Sequence, residues 1–367
     1  MYKYIEIKVD IIMSKAHTKD KVINLVLFCS LLLIILFGTC HVLEDKTAKK
    51  SMYALRYEPK DTIDVIFLGN SHASNGIAPV ELWNSYGYTA YNFSMMSQTF
   101  PLVYYNAVDA IKLQHPDILV VDLFSATSFS NNFPNMHKSI DNLTLATRLT
   151  AISEFVPDDL KTEYYFPIYL YHDRWSKLEK KDVLPYFLRY SPRRNYNKGA
   201  SLISALTLCE NPYDKIEAAG VGELTDEHLY WYDRLNSLCK DNGVQLLFTV
   251  IPYECPVGGT VASTVNNMKL YNATEEWCRD NGVGYVNLFD YLEDMDFDYS
   301  TDMQDVSHVN ILGALKVTDF LGKYISENYN ITDYRDNVKV AKEWNDAYMK
   351  YSVQRDGLVA KCKEAQR

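Results

Sequence analysis

"DVIFLGNSHASNG", residues 64–76, sets the apolar run Val65 to Leu68 directly against Gly69 and then Asn70, Ser71 and His72. An unbroken apolar run suits a strand covered on both faces, as in a parallel sheet under helices. The stop at glycine admits two readings: a tight strand-to-loop turn that needs small residues, or a nucleophilic serine held at a strand end.

The same alternation continues along the chain. "PVELWNSYG" (79–87) reads as a helix closed by Gly87, "TAYNFS" (89–94) as a second strand, "FPLVYYNAVDAIKLQ" (100–114) as a helix and "PDILVVDLF" (116–124) as a third strand. From Ser125 to about Gly222 the pattern lapses into an aromatic-rich stretch, including "YYFPIYLYHDRWSKL" (164–178), that reads as a helical insertion or cap. It then resumes: a helix in 224–243, a strand in 244–253, a helix in 266–282, a strand in 283–292 and a helix in 310–329. Strands alternating with helices predict an α/β fold with a doubly wound, mostly parallel sheet.

Ahead of this lies "VINLVLFCSLLLIILFGTCHVL" (22–43), with no Asp, Glu, Lys or Arg. At about 1.5 Å per residue it crosses a hydrocarbon layer of about 30 Å. The alternative is a cleaved signal peptide, but the apolar stretch exceeds the usual core of about 7–15 residues and no small-x-small site follows closely. Lys15, Lys19 and Lys21 precede the run, while Lys46, Lys49 and Lys50 follow beside Glu44 and Asp45, so charge bias is weak. The large mass C-terminal to it favours an inside N-terminus. Met13 is an alternative start.

The expected segments are thus a cytoplasmic piece (1–21), an anchor (22–43), a connector (44–61), a main extracytoplasmic domain (62–330) holding the 125–222 insertion, and a peripheral C-terminal helix (331–367). A net charge of −10, from 47 acidic against 37 basic residues, argues against nucleic acid as a partner. Outside the anchor stand Cys209, Cys239, Cys255, Cys278 and Cys362 with no CxxC pair, which argues against a metal cage and leaves room for one or two disulfides.

Ligands of open α/β sheets bind beyond the C-terminal strand ends, where Ser71 is expected. Its hydroxyl needs a base, and "DMQDVSHVNILGALK" (302–316) supplies one. Asp305 and His308 stand three apart on a loop after the last strand, so the carboxylate can fix the imidazole while its other nitrogen faces Ser71. Asp302 is a competing carboxylate at a poorer spacing.

With "GNSHA" early and "DVSHVNILGALKVTDFL" late, the chain resembles the SGNH (GDSL-type) hydrolase superfamily over roughly residues 63–329. The resemblance implies a three-layer α/β/α, flavodoxin-like fold, with Ser71 as nucleophile, His308 as base and Asp305 as its orienting acid. It implies an oxyanion hole from the backbone amides of Ser71 and Ser97, the latter at a position where the family has glycine. The family's third-block asparagine has no match in "VVDLFSATS" (120–128), and Asn92, Asn75 or a residue of the cap is the candidate to compensate. No cofactor is expected. The anchor and motifs together look like surface proteins of D-alanyl transfer and polysaccharide O-acetylation, which implies an acylated glycan as substrate and a membrane-bound O-acyltransferase as partner.

Asn70, His72, Asn92, Asp122, His172 and Arg174 complete the set of supporting or substrate-touching candidates. Four of them have a plainer reading: His72 as a turn residue, Asp122 as a cap, and His172 and Arg174, in "YHDRW" (171–175), as packing in the insertion. The rival to an enzyme is a non-catalytic glycan-binding or assembly protein that keeps this fold.

Overall fold

Val65 to Leu68 form the first strand, and all four side chains are buried. The computed structural model describes residues 2–43, 54–129, 133–166, 168–178 and 196–366. In chain order the elements are α1 (Tyr2–Leu43), β1 (Val65–Leu68), α2 (Ser71–Gly76), α3 (Pro79–Tyr86), β2 (Ala90–Asn92), α4 (Phe100–Gln114) and β3 (Ile118–Asp122). There follow α5 (Phe133–Asn142), α6 (Leu145–Phe155), α7 (Lys161–Tyr165), α8 (Ile168–Tyr171), α9 (Tyr213–Ile216) and α10 (Asp226–Asp241). The chain closes with β4 (Gln245–Val250), α11 (Val261–Asn281), β5 (Gly284–Asn287), α12 (Ile311–Asn328) and α13 (Val338–Ala365).

The five strands form one parallel sheet in the order β2-β1-β3-β4-β5. Strand order reverses between β1 and β3, so this is the α/β, flavodoxin-like arrangement whose ligands bind at the switch point. Right-handed crossovers put α3 on one face and α4, α10 and α11 on the other. Phe100 of α4, Tyr232 of α10 and Trp277 of α11 meet Phe248 of β4 at ring separations of 5.3–6.1 Å. On the opposite face α12 packs on α2 and α3, and α13 covers α3 and α12.

The chain divides into two compact units, Met1–Lys46 with Asp158–Ser191 and Thr47–Pro157 with Pro192–Arg367. The second contains the sheet. The first contains α1, whose span Lys19–Cys40 has a mean hydropathy of 2.6 and is long and apolar enough to cross a membrane. All seven cysteines are free thiols.

The 125–222 stretch is helical in its early part, whereas residues 200–212 run without helix or strand. This strap has no hydrogen-bonding pattern of its own and takes its partners from the domain beneath: Ser201 N donates to Ser74 O, Ile203 O accepts from Ile311 N, and Thr207 N donates to Met303 O. Its entry is fixed by Gly199, at φ 90°, where any Cβ would collide with the carbonyl of Asn92. Beside it Lys198 and Glu58, both almost fully buried, form an ion pair with two contacts of 2.8 Å.

Candidate active site

Gly69 ends β1 because a Cβ there would lie 2.9 Å from the Cβ of Ala73 and 3.0 Å from that of Asp122. The chain can therefore turn sharply into α2 only with glycine at this point. Asn70 caps the turn, its Oδ1 accepting from His72 N at 3.0 Å. Ser71 is thus the first residue of α2, at the β1 end of the switch point. Among the described residues no acceptor meets its amide.

The other half comes from the loop between β5 and α12. Asn310 caps α12 through Oδ1, which accepts from Leu312 N and Gly313 N, while its Nδ2 donates to Thr301 O and Met303 O. One buried asparagine so ties the start of a helix to the loop before it. Within the loop, Asp305 Oδ1 accepts from Ser307 N (2.8 Å) and His308 N (3.0 Å). The carboxylate organises the backbone turn and, from the same atom, the imidazole: His308 Nδ1 lies 2.9 Å from Oδ1 and 3.1 Å from Oδ2. His308 Nε2 then lies 2.8 Å from Ser71 Oγ, across 237 residues of chain. The loop is braced from the segment after β4, where Glu254 N and Cys255 N both donate to Val306 O.

Of the remaining candidates, His72 is buried directly behind the pair. Its ring stacks on Phe124 at 3.6 Å, meets His308 edge-on at 5.2 Å, and places Nε2 2.9 Å from Ser307 Oγ. Burial, and then the proximity of His308, push its pKa well below the ordinary histidine value, so it is neutral. Asp122, at the end of β3, is also buried. Burial raises its carboxyl to about 7, against which the amides of Ile251 and Phe124 act as stabilising donors.

Asn92 spends both amide protons on the carbonyls of Ala73 (2.7 Å) and Ile77 (3.1 Å). It therefore has no donor left for an oxyanion and instead anchors α2 to β2. Asn75 donates to Gln304 at 3.4 Å. Ser97 is exposed and has φ 61°, a left-handed conformation that glycine adopts without strain. No acceptor among the described residues meets its amide. Asp302 pairs with Lys316 at 2.8 Å and takes no part in the serine–histidine contact. Arg174 belongs to the unit that holds α1, and the side chain of His172 lies outside the described residues.

Sequence reasoning missed Phe124, Ser307 and Asn310. Asn310 carried a readable signal, an asparagine just before an apolar helical run. Phe124 and Ser307 carried none, since their roles exist only across the switch point.

No family model matches the chain, and no curated protein matches it. Solved structures with some likeness include a protein of Bacteroides fragilis assigned as an acylhydrolase and a GDSL-like lipase of Bacteroides thetaiotaomicron. Each is 11% identical at a TM-score of 0.38, over 77% of this chain and 99% of the other. A gut microbial diltiazem-metabolizing enzyme is 11% identical at a TM-score of 0.37, over 72% of this chain and 48% of its own. These likenesses are distant.

Proposed function

We propose that the protein is a membrane-anchored, extracytoplasmic serine esterase or O-acyltransferase acting on acyl groups of cell-surface polysaccharide. The observation that carries this reading is the relay Asp305–His308–Ser71, with heavy-atom separations of 2.9 Å and 2.8 Å. Those are hydrogen-bond lengths suited to moving a proton from the hydroxyl to the imidazole.

In this reading Ser71 Oγ attacks the ester carbonyl carbon while His308 Nε2 takes its proton. Asp305 stabilises the imidazolium, and the unpaired amides of Ser71 and Ser97 receive the oxyanion. Collapse breaks the bond to the leaving alcohol, which regains the proton from His308, and leaves an acyl-serine. Water or a sugar hydroxyl then attacks the acyl carbon, giving up its proton to His308; the bond to Ser71 Oγ breaks, and Oγ takes that proton back to restore the free serine. The acceptor decides between hydrolysis and transfer. The α1 span and the motif resemblance support a surface substrate of O-acetyl or D-alanyl type and a membrane-bound O-acyltransferase as the partner supplying acyl groups.

A fluorophosphonate probe tests the chemistry. Wild type should form a covalent adduct mapped to Ser71, and both Ser71→Ala and His308→Ala should abolish labelling and release of acetate from an activated ester with the fold retained. Absence of an adduct on folded wild type, where a control esterase reacts, would favour the non-catalytic glycan-binding reading.

A further inference from the structure

Along α1 every side chain from Lys19 to Ile35 is exposed, and cover begins only at Leu36, Gly38, Cys40 and Val42, becoming complete at Leu43. The cover comes from α8 and the tight turn His172–Lys177, within the same compact unit. A span of 22 residues centred near Phe28–Ser30 reaches its hydrocarbon boundary about 15 Å, or ten residues, from that centre. The covered end of α1 is therefore at the depth of the lipid headgroups.

The segment that packs there is two-sided. Tyr164 and Tyr171 turn inward at 2% and 3% exposure, while Tyr165, Phe166, Tyr169 and Trp175 are 41%, 51%, 60% and 71% exposed. The other four tryptophans, Trp83, Trp231, Trp277 and Trp344, are all buried. Four large aromatic side chains facing outward within eleven residues would be costly in water. Tyrosine and tryptophan rings, apolar in body and polar at one edge, are instead favoured at a membrane–water boundary. Lys177 follows them with a stem suited to reach toward headgroups, while Lys161 ahead of them pairs with Asp158 at 2.6 Å.

We infer that residues 161–177 form a collar resting in the headgroup region of the leaflet where α1 ends, with Tyr165, Phe166, Tyr169 and Trp175 as its lipid-facing surface. The collar rests on the reading of α1 as an uncleaved anchor. It holds the exit of the anchor at fixed depth.

Trp175, the exposed tryptophan, is the reporter. Full-length wild type and Trp175→Phe are reconstituted into vesicles of three parts phosphatidylcholine to one part phosphatidylglycerol, with and without bromine near the ester end of the acyl chains. Flotation is measured alongside emission. Both proteins should float, and the emission difference between them should be blue-shifted, quenched by the brominated lipid and shielded from aqueous iodide. Flotation with a Trp175 signal quenched by iodide and not by bromine would overturn the collar alone. A signal shielded from both would place a second copy or another segment over the aromatics and would also overturn it. Failure to float would overturn the anchor and the collar together.

Discussion

Replacing Asp305 by asparagine separates two jobs that one carboxylate performs. Its Oδ1 holds three donors, the amides of Ser307 and His308 and the imidazole Nδ1, all within 3.0 Å. An asparagine carbonyl oxygen in the same place keeps these three bonds and with them the loop. The amide nitrogen that replaces Oδ2 loses the charge and the contact that Gln304 Nε2 donates to Oδ2 at 3.3 Å. Two unit charges 2.9 Å apart attract by about 6 kcal/mol at an effective dielectric near 20. With the Asp305 side chain 38% exposed, water screens about half of that, leaving about 3 kcal/mol for the imidazolium formed on the way to the acyl-serine. Asp305→Asn should therefore lower kcat by about 10²–10³-fold with KM and thermal stability little changed. Asp305→Ala removes the two backbone contacts as well, each worth about 1 kcal/mol, and should lose more activity along with measurable stability. Hydrolysis of an activated acetate ester, with thermal melts run alongside, reads both effects. An Asp305→Asn enzyme within about threefold of wild type would refute the charge argument, and an alanine variant as active as the asparagine variant would refute the pinning argument.

His72→Phe keeps the stack on Phe124 but orphans the Ser307 hydroxyl, at a cost of about 1–3 kcal/mol in stability. Because His72 is neutral and never touches substrate in the proposed mechanism, kcat should fall through misplacement of the His308 loop while the pH–rate profile keeps its shape; a shifted profile would show a direct role in proton transfer. Asp122 titrates in the native state near 7 against an ordinary 3.8, so as pH rises the unfolded chain gives up its proton first. The native state is thus unpenalised below about pH 4 and progressively penalised up to about 7, by at most about 4 kcal/mol. Thermal melts against pH should show Asp122→Asn gaining on wild type across that window, and parallel curves would contradict the assignment. Lys198→Met leaves Glu58 charged and unpaired in a buried site and should cost about 3–5 kcal/mol, with the double variant Lys198→Met, Glu58→Gln recovering part of it in denaturant titrations.

The sheet and its order of elements were readable because a strand covered on both faces must be apolar throughout, and the runs at Val65, Ile118 and Gln245 onward carry that pattern over short range. Ser71, Asp305 and His308 were readable for a related reason. Ser71 stands at the end of the first predicted strand, Asp305 and His308 stand on the loop between the last one and the next helix, and parallel topology returns both places to one rim. The strap at 200–212 left no periodic trace, because its hydrogen bonds go to Ser74, Met303 and Ile311 rather than along itself. Asn92 could not be separated from an oxyanion donor until its two protons were seen on Ala73 and Ile77. The neutral state of His72 likewise depends on burial against Phe124 and Ser307, partners 52 and 235 residues distant. Patterns of period two and 3.6 are written in neighbouring residues and can be read from them. Hydrogen-bond partners and desolvation belong to residues brought together from far apart, and those exist only once the chain has folded.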